Sequence, residues 1–375
     1  APDAAGASPV DAGVAGAGVA GAAAGAATAV SAAGAAGCDG GCAAAGSTGS
    51  GGDVVPVPGT SNRRGGLGDV SAALPRAMAH LHDVRVLIPG YPQVMHSENP
   101  IHIIGELGGH AALPPCKIGR MDMPDGLVIY VLICPELYER EGSPYGANNG
   151  RDWPDNHIRF ARLGLAAADI AANLAQIHWC PDLVHAHDWP AGLAPAYMHW
   201  RGQRTPTLFT IHNLAYQGVV SLASCPELGI PTHALQQEGM EFYGKMSFLK
   251  AGMAYSSHIT TVSATYAQEI TTPAFGCGLD GFLASKTQQG LLSGIPNGID
   301  ESWDAATDTH LFRQFAMGDW EGKAVNAAHV RELFGLKDSS GPLFAVVSRL
   351  VYQKGLDLTE AVSEYIVQNG GQIAI

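Results

Sequence analysis

Six short apolar runs are spaced along the chain and separated by stretches with helical periodicity. The runs are continuous rather than alternating, which is typical of strands buried on both faces of a parallel sheet. Strands that alternate with helices predict an α/β doubly wound, Rossmann-like fold. The predicted strands are Val84–Pro89, Val128–Cys134, Leu183–Ala186, Leu208–Ile211, Ile259–Val262 and Leu343–Val347, and the predicted helices are Val70–His80, Ile158–Ala175, Ala191–His199, Met240–Ala254 and Gly355–Gln368.

Composition divides the chain into four segments. Residues 1–52 are almost entirely Ala and Gly and contain no Lys, Arg, Leu, Ile or aromatic residue, so we expect an irregular or flexible extension. A first α/β domain (53–311), a charged linker (312–341) and the start of a second α/β domain (342–375) follow. The chain stops at a predicted strand, 372–375, with no helix after it, and we therefore expect the second domain to be truncated.

The net charge of −13 limits the kinds of partner that the chain can bind. Nucleic acids and anionic membranes are polyanions and are disfavoured as partners, and no apolar run is long enough to span a bilayer. Seven scattered Cys predict reduced thiols in a cytoplasmic enzyme. Cys38 and Cys42 have no second pair that would complete a zinc site.

Two segments suit the binding of a phosphate group. In the first, Arg63 and Arg64 precede Gly65, Gly66, Leu67, Gly68 and Asp69. Such glycines let a backbone turn approach a ligand, and the N–H groups of a following helix attract anions, although a plain tight turn explains the pattern equally well. In the second, Arg349 and Lys354 lie between a strand and a helix, where two cations suit a diphosphate; solvated loop charges are the alternative.

The segment from His185 to Trp189 lies at the carboxyl end of a predicted strand, where open α/β sheets bind ligands. His185 and His187 are two residues apart and therefore share one face of the strand. Three interpretations remain open: buried histidines with Asp188 as a helix cap, contacts to a sugar, or ligands of a metal ion in a hydrolase.

Two further motifs carry polar residues. The next strand ends in His212 and Asn213, followed by Tyr216, Gln217 and Gly218. These side chains hydrogen-bond sugar hydroxyls well, and a polar turn packed by Tyr216 is the alternative. The second of these motifs, Asn297-Gly298, is a strong turn signal by itself.

The motifs together, in this order, resemble those of bacterial glycogen synthases and plastid starch synthases. The resemblance runs from Arg63 to Ile375 and rests on GGLGDV (65–70), HAHDW (185–189), IHNLAYQG (211–218), FLKAG (248–252), TVSATY (261–266), NGID (297–300) and the SRL and QKG segments at 348–355. It implies a GT-B fold, in which two Rossmann-like domains face each other. It also implies retaining transfer of glucose from ADP-glucose to an α-1,4-glucan, in the bacterial cytoplasm or in a plastid, with no metal or other cofactor.

The same resemblance implies roles for individual residues. Arg63, Arg349 and Lys354 would hold the diphosphate, with Gly65, Gly66 and Asp69 in the donor loop. His212 would lie beside the donor glucose, followed by Asn213. The residues that would line the cleft are Tyr138, Asp188 and Asn297.

The implied chemistry agrees with elementary electrostatics, because charge on a departing diphosphate is stabilised by preorganised cations. Some residues depart from the family pattern. The family's Lys-Thr-Gly-Gly is Arg63-Arg64-Gly65-Gly66, and two prolines in 53–62 hinder the expected first strand. The family's donor-binding Glu would lie beyond Ile375. A glucan-binding protein without turnover, or a hydrolase that binds a metal through His185 and His187, are the alternatives.

Overall fold

The computed structural model describes residues 26–30, 66–299, 303–348 and 354–375. Two compact units divide the chain, with the boundary between Asn297 and Gly298. The strands, in chain order, are β1 Ala26–Val30, β2 Asp83–Pro89, β3 His102–Leu107, β4 Cys116–Asp122, β5 Val128–Ile133, β6 Leu183–His187, β7 Thr207–Ile211, β8 Val219–Val220, β9 Glu241–Phe242, β10 Lys245–Ser247, β11 His258–Thr261, β12 Leu292–Gly294, β13 Leu343–Ala345 and β14 Gln372–Ala374.

A nine-stranded sheet forms the centre of the first unit. The strand order is β12-β11-β7-β6-β1-β2-β5-β4-β3, and the seven strands from β12 to β5 pair in parallel. The helices, in chain order, are α1 Gly66–Ala79, α2 Pro92–Met95, α3 Pro135–Tyr138, α4 Asn156–Ala171, α5 Asp188–Ala191, α6 Leu193–Trp200, α7 Phe248–Tyr255, α8 Ala264–Glu269, α9 Asp280–Gln288, α10 Trp320–Leu333 and α11 Leu356–Gln368.

The α/β prediction is confirmed, and each of the six predicted apolar runs forms a strand. The core of the first unit lies between the sheet and the helices α4 to α7, which are buried along much of their length. The antiparallel strands β3 and β4 at the edge were not predicted. Their mixed burial patterns differ from the continuous apolar runs of the parallel strands.

The expectation that residues 1–52 are irregular throughout was wrong at one place. Ala26–Val30 forms β1, which pairs in parallel with β2 on one side and with β6 on the other. A strand between two others gains backbone hydrogen bonds on both edges, and this gain does not require large side chains. The segment 53–62, where two prolines were expected to hinder the family's first strand, lies outside the described residues.

The predicted helix Met240–Ala254 was wrong in its first half. Tyr243 and Gly244 both have positive φ, at 47° and 76°, and this turn joins β9 to β10 as a hairpin that also pairs with β8. The helix α7 starts only at Phe248, because the Ser247 hydroxyl accepts a hydrogen bond from the Lys250 N–H at 3.1 Å and caps the first turn.

Two other boundaries differ from the prediction. The helix α1 begins at Gly66, so Gly66 to Asp69 are helical rather than part of a loop. The predicted helix Ala191–His199 belongs to two shorter helices, α5 and α6, that meet at Gly192.

The described residues of the second unit form two parallel strands, β13 and β14, and two helices, α10 and α11. The helix α10 lies within 312–341, the segment interpreted as a linker. In the part of the chain that the structure describes, no helix is both long and apolar enough to cross a membrane.

A substitution at Gly164 tests the close packing of α4 against α6. A Cβ at this position would lie 2.9 Å from the backbone nitrogen of Ala194 in α6, so Gly164→Ala has to push α4 and α6 apart. We expect it to lower the free energy of unfolding by roughly 1–3 kcal/mol, measured by denaturant unfolding. The control is Gly281→Ala in α9, where a Cβ meets nothing within 4 Å and the helix should be unchanged or slightly stabilised. Equal effects of the two substitutions would contradict this packing.

Candidate active site

Polar side chains collect at the carboxyl ends of three neighbouring parallel strands, β6, β7 and β11. The strand β6 ends at His187, and β7 ends at Ile211, directly before His212. In the sheet register His187 pairs with Thr210, and Thr210 pairs with Thr260 on β11. Parallel pairing therefore brings together residues that are far apart in sequence, at the edge where open α/β sheets bind ligands.

Three histidine rings form a row at this edge. The centroids of His185 and His187 are 4.0 Å apart, as expected for two residues on one strand face, and those of His187 and His212 are 5.3 Å apart. His187 Nδ1 lies 3.1 Å from His212 Nε2. Burial lowers the pKa of His185 and of His212 to about 4 and that of His187 well below its usual range, so all three rings are neutral at pH 7.

A hydrogen-bonded chain of two threonines lies beneath this row. His185 Nε2 is 2.6 Å from the hydroxyl of Thr210, which is in turn 2.6 Å from the hydroxyl of Thr260. The Thr261 hydroxyl donates to the carbonyl of Ile211 at 2.9 Å. These bonds satisfy buried polar atoms and fix the ends of β6, β7 and β11 relative to one another.

Asp188 is buried and connects the ends of β6 and β7. Its Oδ1 accepts hydrogen bonds from the backbone N–H groups of His212 at 2.8 Å and of Asn213 at 3.5 Å. Burial raises the pKa of Asp188 to about 7, although these two bonds act in the opposite direction. The carboxylate thus holds the His212 turn. It does not cap α5, so the cap was predicted wrongly, whereas the predicted burial of His185 and His187 is confirmed.

The loop after β7 is held in place by its neighbours. The Tyr266 hydroxyl accepts the N–H of Leu214 at 3.1 Å, and Gln217 donates to the carbonyl of Cys277 at 2.9 Å. Gly218 has φ of 58°, and a Cβ there would clash with the ring of Trp189. The segment from His212 to Gly218 is therefore a fixed wall beside the histidine row.

The structure brings together Asp188, His212 and Asn213, three of the predicted site residues. Asp69 lies in the first turn of α1. Asn297 is exposed at the end of the first unit, and Lys354, in the second unit, is exposed two residues before α11. Arg63, Gly65 and Arg349 lie outside the described residues, and Gly66 is the first residue of α1.

The prediction that Tyr138 lines a cleft was wrong. Its side chain is fully buried, and its hydroxyl donates to the carbonyl of Arg159 at 2.7 Å. The ring also packs edge-on against Tyr91, with centroids 5.8 Å apart. Tyr138 therefore belongs to the core.

Thr210 and Thr260 were not predicted as site residues, and His187 was predicted only as one of three alternatives: a buried histidine, a sugar contact or a metal ligand. The signal that could have found them is their position, within two residues of the end of a predicted parallel strand. In the metal interpretation, His185 and His187 would need a third ligand. Among the described residues no three His, Cys, Asp or Glu side chains are grouped so that they could hold a metal ion.

Comparisons with known proteins agree with this architecture. The model of the starch synthase catalytic domain matches residues 60–285, which is more than half of the chain. The chain belongs to this family. A glycogen synthase of Pseudomonas fluorescens strain Pf0-1 is 95% identical over 313 residues, which cover 84% of this chain and 64% of that protein. A glycogen synthase of Pseudomonas aeruginosa is 58% identical over 309 residues, covering 82% of this chain and 60% of that protein.

The chain thus spans less than two thirds of the length of these relatives. Among solved structures, the catalytic domain of starch synthase IV from Arabidopsis thaliana, bound to ADP and acarbose, is similar with a TM-score of 0.74 and 27% identity. The similarity covers 93% of this chain and 68% of that one. The predicted GT-B class is confirmed by this likeness.

The stability of the chain should depend on pH through Asp188. Because the pKa of its carboxyl rises from 3.8 to about 7 on folding, the folded chain keeps a proton that the unfolded chain loses. This contribution to stability is complete below about pH 4 and is lost as the pH rises through 7. We expect Asp188→Asn, which keeps an acceptor oxygen, to be more stable than the wild type by up to about 4 kcal/mol at pH 8 and by little at pH 4.

Denaturant unfolding of the two proteins across this pH range measures the difference. The buried histidines destabilise the fold as the pH falls below about 6.5, but they do so equally in both proteins and cancel in the comparison. If the difference in unfolding free energy between the two proteins does not vary with pH, the Asp188 carboxyl of the folded chain is ionised over the whole range, and the raised pKa is contradicted.

Proposed function

We propose that this chain is the acceptor-side domain and part of the donor-side domain of a glycogen synthase. The reaction transfers glucose from ADP-glucose to the non-reducing end of an α-1,4-glucan with retention of configuration, in the bacterial cytoplasm and without a cofactor. The observation that carries the proposal is the group formed by Asp188, His212 and Asn213 at the ligand-binding edge of the sheet. The names of the Pseudomonas relatives and the ligands of the Arabidopsis structure support it.

The chemistry of this group suits a sugar. Neutral imidazole, carboxamide and a carboxyl with a pKa of about 7 can each donate to or accept from a hydroxyl group. None of them places a full positive charge beside a glucosyl group that itself gains positive charge in the transition state. The fixed wall from His212 to Gly218 would hold the donor sugar without a large rearrangement.

Charge on the departing diphosphate is the second requirement. Lys354 is exposed and lies just before the N-terminus of α11, a 13-residue helix whose first N–H groups carry partial positive charge. We assign Lys354 to the diphosphate together with Arg63 and Arg349. With these cations, the leaving group can be stabilised without a metal ion, and its oxygen can take the proton from the acceptor hydroxyl.

Glucan binding without turnover is the second candidate. It is favoured by the position of Asp188, His212 and Asn213, which all lie in the first unit and together offer hydrogen-bond partners to a sugar. An assay with radiolabelled ADP-glucose and glycogen separates the two functions, with the Pseudomonas fluorescens relative as positive control.

We expect label to enter glycogen with release of an equal amount of ADP, and less transfer from UDP-glucose. Glycogen binding with no transfer would support the second candidate. If the chain shows neither binding nor transfer while the relative is active, both candidates are wrong for this chain.

Single substitutions test the assigned roles. We expect Lys354→Ala and His212→Ala each to lower turnover by about 10²- to 10³-fold, which is typical for the loss of a preorganised polar group in a transferase site. The control for Lys354 is Lys337→Ala, an exposed lysine of the same unit, which should retain wild-type turnover. Should Lys354→Ala and Lys337→Ala behave alike, Lys354 would have no role in holding the diphosphate.

A further inference from the structure

The row of three histidines contains a residue whose role the proposed function does not assign. His187 is almost completely buried, and its ring lies between those of His185 and His212. It is the last residue of β6, directly before Asp188, and it pairs in register with Thr210, two residues before His212. Strand pairing therefore fixes the backbone of His187, and the neighbouring rings of His185 and His212 pack against its side chain.

The bond between His187 and His212 restricts the second ring. His187 Nδ1 and His212 Nε2 are 3.1 Å apart, and both rings are neutral because burial lowers their pKa. In a bond between neutral imidazoles one nitrogen donates and the other accepts, so the tautomer of one ring determines that of the other. The bond also fixes the rotation of the His212 ring about its Cβ–Cγ axis.

The other nitrogen of His212 is Nδ1. Among the described residues, nothing forms a hydrogen bond with His212 Nδ1, which is shielded from solvent although the residue as a whole is half-buried. A buried polar atom without a partner is unfavourable, and a ligand hydroxyl that bonds it would relieve this cost. Since Nε2 is occupied by His187, Nδ1 is the nitrogen that remains for a ligand.

We propose that His187 is a positioning residue, whose hydrogen bond to His212 Nε2 orients the His212 ring so that its Nδ1 bonds a hydroxyl of the transferred sugar. The part that concerns the sugar rests on the proposed function, whereas the orientation of the ring does not. Histidines in metal sites and catalytic triads are held in the same way: one ring nitrogen acts on the ligand, and a neighbouring group forms a hydrogen bond with the other.

Two substitutions separate the hydrogen bond from the shape of the ring. His187→Phe keeps an aromatic ring against His185 but removes both nitrogens. His187→Asn keeps a polar amide group close to the position of Nδ1. The matched control is His199→Phe, which removes a histidine that stacks on Tyr255, with ring centroids 4.9 Å apart, away from the histidine row. Thermal unfolding of each variant establishes that it folds.

Nuclear magnetic resonance of the chain with ¹⁵N-labelled histidine tests the orientation without any activity. We expect the His212 ring in the wild type to show a single tautomer between pH 6 and pH 8. His187→Phe should give a mixture of tautomers, His187→Asn should restore one form, and His199→Phe should change nothing. A single unchanged tautomer of His212 in folded His187→Phe would overturn the proposal. If His187→Phe does not fold, a mixture of His212 tautomers in the wild type would overturn it equally.

Kinetics test the part that concerns the sugar. If the wild-type chain transfers glucose, His187→Phe should lower kcat about ten-fold with an unchanged KM for glycogen, and His187→Asn should recover most of this loss. Wild-type turnover in His187→Phe would refute the positioning role and leave the proposed function intact. If the wild-type chain has no activity, the proposed function fails, and the resonance experiment alone decides the orientation of His212.

Discussion

The parallel pairing of β6 with β7 is the constraint on which the site depends. This pairing sets His187 opposite Thr210 and places the two strand ends side by side, with Asp188 beyond one and His212 beyond the other. The Asp188 carboxyl then reaches across to the backbone N–H groups of His212 and Asn213. A shift of one residue in this register would turn the histidines and threonines to the opposite face of the sheet.

Burial gives these residues properties that they lack in water. Three imidazoles, two threonine hydroxyls and a carboxyl lie together where charge is costly, so the histidines remain neutral and the carboxyl resists ionisation. Asp188 also has φ of 54°, a left-handed conformation that is uncommon for residues other than glycine. Strain, buried polar groups and shifted pKa values at one edge of a sheet are typical of a functional site rather than of a stabilising core.

Much of the fold could be predicted from the sequence because six of the parallel strands contain continuous apolar runs. Prediction from local sequence patterns failed at segments whose structure depends on the strands with which they pair. Ala26–Val30 contains nothing that marks a central strand, and Tyr243-Gly244 makes a hairpin inside an otherwise helical pattern. Of the candidate site, Asp188, His212 and Asn213 were identified from their place at strand ends and from the family resemblance.

The contacts within the site could not be predicted, because they depend on register. Nothing in the sequence shows that His187 lies against His212, or that Thr210 bonds both His185 and Thr260. Tyr138 shows the converse error, since its correspondence with a cleft residue of the family did not reveal that its hydroxyl is bonded within the core. Residue type and order thus identify the family, while the roles of individual side chains follow from packing.

A crystal structure of the chain with ADP-glucose and a short α-1,4-glucan tests the central claim most directly. The account predicts that the glucosyl group lies against the wall from His212 to Gly218, with a sugar hydroxyl within hydrogen-bonding distance of His212 Nδ1. A glucosyl group bound away from the carboxyl ends of β6 and β7 would contradict it.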